Sequence, residues 1–280
     1  MEVRFFTRQQ FNDNFGKEMV SANDVYERRR ASGIDDYALA TYDFDFISDS
    51  KTKLESLGRF LTDNYKFTIN EVAKNAGHWV LRGDAVPFPV DKDNLMFWAL
   101  DLNCKGYKFD CRLSGYGAMA DASKQEFPDL HPSLEDRYFE SAMEAYQNQN
   151  LGLAIIHFST VIKINPRDPN AWYSRAIAKD ELYTWKAARR DYDKAIELAP
   201  DFTDAIINRA ANKDEAGEYS EAIEDYNRAL ELEPQNAMAY FNRGNSKLNN
   251  KDSAGACADW HKAKQLGAGY AQERIDRNCK

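Results

Sequence analysis

The sequence predicts an α+β domain followed by an all-α array of helical hairpins. Three observations carry this reading. Residues 38–117 change period in the order strand, helix, strand, strand, helix, strand. From residue 135 the chain repeats itself every 34 residues. Hydrophobic residues make up 43% and aromatic residues 13%, enough to fill two packed cores.

The α+β half is read in chain order. Residues 7–31 predict one or two helices ending in the exposed run "ERRR". "ALATYDFDFIS" (38–48) alternates as a strand does, with Asp43 and Asp45 on one face and Tyr42, Phe44 and Phe46 on the other. "DSKTKLESLGRFLTDN" (49–64) places Leu54, Leu57, Phe60 and Leu61 on one helical face, with Asp49 or Ser50 as start signal. "YKFTINEV" (65–72) and "GHWVLRGD" (77–84) read as strands, and Pro87 and Pro89 mark a loop. "DKDNLMFWALDLNCKG" (91–106) predicts a second helix, and "YKFDCRLSGYG" (107–117) a fourth strand. The order βαββαβ is that of a ferredoxin-like, split-βαβ sandwich.

The runs "SGIDDYALATYDFDFISDSKTKLESLGRFLTDNYKFTINEV", "HWVLRGDAVPF" and "LMFWALDLNCKGYKFDCRLSGYG" resemble the ribonuclease E inhibitor B (RraB) family over roughly residues 30–120. Asp35, Asp36 and Tyr37 match the family's acidic strand entry, Asn64 and Tyr65 its turn, and Phe109 and Asp110 its aromatic-Asp pair. Cys111 and Arg112 stand where the family continues Gly-Trp, and the repeat array replaces the family's acidic tail. The resemblance implies a protein that binds and restrains an RNA-processing ribonuclease.

The repeat blocks are 135–168, 169–202, 203–236 and 237–270. Position 20 is Ala154, Ala188, Ala222 and Ala256; position 27 is Val161, Ala195, Ala229 and Ala263. Position 24 is Phe158, Tyr192, Tyr226 and Trp260, and position 32 is proline in three blocks. Small residues admit close helix approach, a ring fills the space between hairpins, and proline ends the second helix. Asp168 is the expected N-cap before Pro169. This pattern resembles tetratricopeptide (TPR) repeats, an all-α superhelix, with "GYAQERIDRNCK" supplying a capping helix. The expected boundaries are a helical segment at 1–30, the ferredoxin-like domain at 31–120, a linker at 121–134, four TPR repeats at 135–270 and the capping helix through 271–280.

The TPR resemblance implies a protein-binding groove lined by the first helix of each hairpin. Phe139, Tyr173, Ile177, Asp180, Asp214, Phe241 and Asn245 are its candidate residues, with Ile207 at the equivalent of Tyr173. Phe, Tyr, Ile and Phe occupy position 5, where chaperone-binding TPRs carry a lysine that grips a C-terminal carboxylate. That disfavours a chaperone adaptor and points to a partner with apolar anchors and some basic residues.

Position 7 is Ser141, Arg175, Arg209 and Arg243; position 23 is His157, Asp191, Asp225 and Asp259. Arg and Asp appear together in three repeats and vanish together in the first. A guanidinium placed between helices needs a carboxylate. The expectation is therefore the structural pairs Arg175–Asp191, Arg209–Asp225 and Arg243–Asp259, with a lysine at position 11 sharing the acid.

Net charge is −8, shared equally by residues 1–130 and 131–280, with no basic run. This argues against direct nucleic-acid binding. No apolar stretch has the length of a signal core or a membrane span. Cys104, Cys111, Cys257 and Cys279 form no CxxC motif and read as reduced thiols of a cytoplasmic protein. The four histidines lack metal-ligand spacing, and Cys111 and His78 fall on strands that a split-βαβ sheet keeps apart. No catalytic, cofactor or metal residue is assigned. The function expected is a non-catalytic cytoplasmic regulator or adaptor. It would act on a ribonuclease or other RNA-processing enzyme through its first domain and recruit a protein through its groove. The alternatives are a plain TPR scaffold and, less favoured, a hydrolase.

Overall fold

The structure, a computed structural model, describes residues 4–118 and 124–279. Residues 1–3 of the expected helical segment, 119–120 of the expected α+β domain, 121–123 of the expected linker and 280 of the capping helix lie outside the described residues. The chain divides into two compact units, Met1–Pro166 and Arg167–Lys280. The sequence repeat thus begins at 135, but the packing divides at 166.

In the first unit, Arg8–Ala31 forms a single helix, α1. Thr7 and Gln10 cap it reciprocally: the Gln10 backbone N–H donates to Thr7 Oγ1 at 3.3 Å, and the Thr7 N–H to Gln10 Oε1 at 2.9 Å. The run "ERRR" is not uniformly exposed, because Arg29 is buried.

The strand expected over 38–48 is two. β1 (Leu39–Ala40) and β2 (Asp43–Ser48) lie in different sheets. The chain then forms α2 (Lys51–Tyr65), ended by Lys66 in the left-handed region at φ 60°. β3 (Thr68–Asn75) and β4 (His78–Asp84) make a hairpin. Its two turn residues, Ala76 and Gly77, have φ of 43° and 93°, the sense that matches strand twist. The expected proline loop holds a short strand, β5 (Phe88–Pro89), which pairs antiparallel with β1.

Helix α3 (Lys92–Lys108) starts at Asp91, whose carboxylate accepts from the Asn94 N–H at 2.8 Å. It runs further than expected and displaces the start of the last strand to Arg112–Gly117, β6. Asp110, at φ 57°, turns the chain, and the Cys111 N–H reaches back to the Gly106 carbonyl at 2.8 Å. The main sheet has the order β3-β4-β2-β6, with every neighbouring pair antiparallel. Phe44, Phe46, Leu54, Leu57, Leu61 and Leu102 fill its core, while Asp43 stays exposed.

The described part of the linker lies along this unit. Glu126 accepts from the Leu39 N–H at 2.7 Å, and the Gln125 side chain from the Asp35 N–H at 2.7 Å. The first repeat hairpin, α4 (Glu135–Gln147) and α5 (Leu151–Ile164), also belongs here. α5 packs on α3, and Ile156 enters the α+β core. Gly152 permits the approach: a Cβ there would stand 3.0 Å from Trp98 Cα and 3.3 Å from the Phe97 carbonyl oxygen. The buried Asp101 carboxylate accepts from Tyr65 Oη at 2.7 Å and from the Gly152 N–H at 3.1 Å. These contacts move the packing boundary past the expected 120 and 135.

The second unit comprises α6 (Pro169–Glu181), α7 (Trp185–Leu198), α8 (Thr203–Glu215), α9 (Tyr219–Leu232), α10 (Ala237–Asn249), α11 (Ser253–Gln265) and α12 (Ala271–Asn278). Asp168 caps α6 by accepting from the Asn170 N–H at 2.9 Å. Ala188, Ala195, Ala222, Ala229, Ala256 and Ala263 are fully buried at the helix crossings, beside the rings of Tyr192, Tyr226 and Trp260. Ala271 and Ile275 of α12 cover the Trp260 cluster. Cys257 and Cys279 are joined as a disulfide, Cα atoms 5.6 Å apart, which corrects the reading of all four cysteines as thiols. Cys104 and Cys111 are thiols.

Candidate functional site: the first-helix face of the repeats

Each second-unit hairpin carries an arginine clamped between its helices. Arg175 Nε and Nη2 each donate to one Asp191 carboxylate oxygen at 2.8 Å. Arg209 does the same to Asp225 at 2.8 and 2.6 Å, and Arg243 to Asp259 at 2.8 and 2.7 Å. Lys179, Lys213 and Lys247 approach the same three acids at 2.7, 2.7 and 2.8 Å. The acids are buried, so each carboxylate depends on these donors. Arg209 and Arg243 also reach the preceding hairpin, Nη1 donating to Asp193 and Asn227 at 2.8 and 2.7 Å. This places the guanidinium groups in the framework of the stack. His157 occupies the carboxylate's position in the first unit's hairpin, and burial pulls its imidazole down to about 4.

Asp180 and Asp214, expected to make the groove acidic, have internal partners. Asp180 accepts from Tyr192 Oη at 2.9 Å and from Asn212 Nδ2 of the next hairpin at 2.7 Å. Asp214 accepts from Tyr226 Oη at 3.1 Å and from Ser246 Oγ of the next hairpin at 2.7 Å. Burial raises both carboxyls from their ordinary value. These acids therefore join one repeat to the next. Sequence reasoning missed this second ladder, although its signal was present. Asp stands at position 12 only where Tyr stands at position 24: Asp180 with Tyr192 and Asp214 with Tyr226, against Tyr146 with Phe158 and Leu248 with Trp260.

The apolar candidates are half-buried. Tyr173 packs 4.7 Å from the Phe202 ring and accepts from Asn208 Nδ2 at 3.0 Å. Ile177 lies against the Tyr192 cluster, and Phe241 meets the Tyr270 ring edge-on at 4.8 Å. Ile207 is buried in the stack and lines no surface. Phe139 belongs to the first unit, packed 5.4 Å from Phe158. Among the described residues, Asp214 Oδ1 and Asn245 Oδ1 on these first helices are buried with no donor.

Cys111 and His78 are not brought together. Cys111 precedes β6, His78 opens β4, and β2 lies between those strands. Burial pushes the Cys111 thiol up to about 12, which leaves no thiolate at neutral pH. Among the described residues, no group of three or more His, Cys, Asp or Glu side chains is placed to hold a metal ion. No described helix is long and apolar enough to cross a membrane.

The profile of the TPR repeat matches residues 215–251. Residues 215–251, which span α9 and α10, are a TPR repeat. Over 83 residues the chain is 31% identical to Hsp70-Hsp90 organizing protein 2 of Arabidopsis thaliana, covering 30% of this chain and 14% of that protein. It is 32% identical to Hsp70-Hsp90 organizing protein of Triticum aestivum over the same length and shares. The chain thus spans about one seventh of these relatives. Among solved structures it is similar to MamA, with TM-score 0.47 and 20% identity over 51% of this chain and 83% of that one. It is also similar to the first TPR of Spaghetti (RPAP3) bound to the HSP90 peptide SRMEEVD, with TM-score 0.42 and 24% identity over 43% of this chain and 95% of that one.

Proposed function

We propose that this protein is a non-catalytic binding adaptor whose second unit takes a protein segment on its first-helix face. The observation that carries this reading is how the polar groups are used. The three arginines and most oxygens of Asp180 and Asp214 are committed to holding the hairpins together. Tyr173, Ile177 and Phe241 are left half-buried on the first helices, while the donor-less oxygens of Asp214 and Asn245 are themselves buried. An occupant that complements this face brings apolar anchors, and the chain's net charge of −8 favours basic residues beside them.

The relatives' names mention Hsp70 and Hsp90, and one neighbour holds an acidic HSP90 peptide. Phe139, Tyr173, Ile207 and Phe241 stand where a carboxylate-gripping lysine would be needed, so we assign the face to a different class of peptide. Panning a random peptide library on the full chain tests this. Apolar-basic sequences should be enriched, and Tyr173→Ala with Phe241→Ala should abolish their binding. Strong, saturable binding of SRMEEVD would overturn the choice of peptide class.

The second reading concerns the first unit: a ferredoxin-like module that restrains a ribonuclease. The sheet order β3-β4-β2-β6 and the residues resembling the inhibitor family support it. Adding the protein to a ribonuclease E cleavage assay should slow cleavage, and an unchanged rate would remove this reading. A cytoplasmic setting is part of the proposal: its reducing conditions would open the Cys257–Cys279 bridge that the structure carries, whereas an oxidising compartment keeps it. Thiol labelling of protein trapped in acid at harvest separates the two.

A further inference from the structure

The run "ERRR" closes α1 over a cleft of about 370 Å³ in the first unit, lined by Val25, Arg28, Arg29, Ser32, Tyr42 and Tyr116 among others. Small-molecule sites begin at about this size. Arg29 is 8% exposed. Its Nη2 donates to the Ala38 carbonyl at 2.9 Å and the Tyr42 hydroxyl interacts with the guanidinium, but Nη1 is buried with no acceptor in hydrogen-bond geometry. Arg28, at the rim, uses Nε on the Asp24 carbonyl at 3.2 Å. Arg30 is engaged elsewhere, with the Ile34 carbonyl and with Asp35 and Asp36. No acidic side chain lines the cleft among the described residues. The acid interacting with Tyr116 on its wall is Glu18, whose carboxyl burial pushes up to about 7.

A helix C-terminus favours cations, which accounts for arginines gathering there. It does not account for a buried guanidinium with an empty donor. A buried charge without a partner is costly, and an orphaned buried donor is uncommon. The chain has a net charge of −8, so surplus acids are plentiful, yet among the described residues none pairs with Arg29. We propose that this cleft binds a small organic anion. Its carboxylate or phosphate would accept from Arg29 Nη1 and Arg28, with the hydroxyls of Ser32 and Tyr42 beside it and Val25 against its apolar part.

The test is calorimetric titration of the full chain at low salt with succinate and with inorganic phosphate, against neutral succinamide. At least one anion should bind saturably at one site per chain, and which one binds identifies the headgroup. Succinamide should give no binding. Arg28→Ala should weaken binding about tenfold, and Arg29→Lys, which keeps the charge but loses the planar fork, should weaken it further. If Arg29→Lys does not fold by circular dichroism, Val25→Trp decides, since it fills the cleft and leaves both arginines. No saturable heat with either anion at millimolar concentration overturns the proposal. So does wild-type affinity in Arg28→Ala and Val25→Trp.

Discussion

Arg209 grips Asp225 with two parallel hydrogen bonds of 2.8 and 2.6 Å, across the two helices of one hairpin. Arg209→Ala should leave a buried carboxylate held by Lys213 alone, at a cost of about 3 kcal/mol in urea unfolding of the full chain. Replacing the whole cluster as Arg209→Met, Lys213→Met and Asp225→Leu should recover most of that loss, because no unpaired charge remains buried. A cost below about 0.5 kcal/mol for Arg209→Ala would show the pair to be a screened surface contact.

Asp214 and Tyr226 test the second ladder. Tyr226→Phe should cost about 1 kcal/mol, the net worth of one hydrogen bond. Asp214→Leu should cost more, since Tyr226 loses its carboxylate acceptor and Ser246 is left with the Asn242 carbonyl alone. Combining Asp214→Leu with Tyr226→Trp copies the Leu248 and Trp260 arrangement of the following repeat. The double variant should cost less than the sum of the singles. Additive losses would mean that the two side chains are not coupled.

Gly152 is the contact point between α5 and α3. Alanine normally improves a helix by up to about 1 kcal/mol over glycine. Here its Cβ would stand 3.0 Å from the Trp98 backbone, which cannot yield as a side chain tip does. Gly152→Ala should therefore destabilise the first unit by about 2 kcal/mol on balance. A rise in thermal midpoint would show that α5 can shift off α3.

His157 sets an acid sensitivity. Burial lowers its imidazole from 6.5 to about 4 in the folded chain. The unfolded chain therefore binds the extra proton first, and stability is lost as pH falls from 6.5 toward 4. The loss reaches up to about 3 kcal/mol. Glu18 acts oppositely, since burial raises its carboxyl from 4.5 to about 7 and folding gains stability through that interval. The comparison must therefore be between wild type and His157→Gln across the same pH series. The variant should lose less stability on acidification, and parallel curves would contradict the assignment.

Some of this architecture is legible in the chain alone. Helix periods, the 34-residue repeat and the alternation of "YDFDF" depend on neighbours a few residues apart, and local backbone geometry enforces them. The Arg209–Asp225 bond is legible for a related reason: its partners are 16 residues apart within one repeated unit and rise and fall with it. Asp180 and Asp214 show where that logic stopped. Their bonds to Tyr192 and Tyr226 co-vary within a repeat, but only the stacked structure shows Asn212 and Ser246 of the next hairpin completing them.

Tertiary structure alone decided three further matters. It joined the first repeat hairpin to the α+β unit through Gly152 and Asp101, paired Cys257 with Cys279, and buried Arg29 while Arg28 and Arg30 stayed exposed. Each is a contact between segments whose separation carries no period. The sequence determines which faces of its helices and strands are apolar. Which apolar face meets which, and which polar atom is left without a partner, is settled only when the elements close on one another and water is excluded between them.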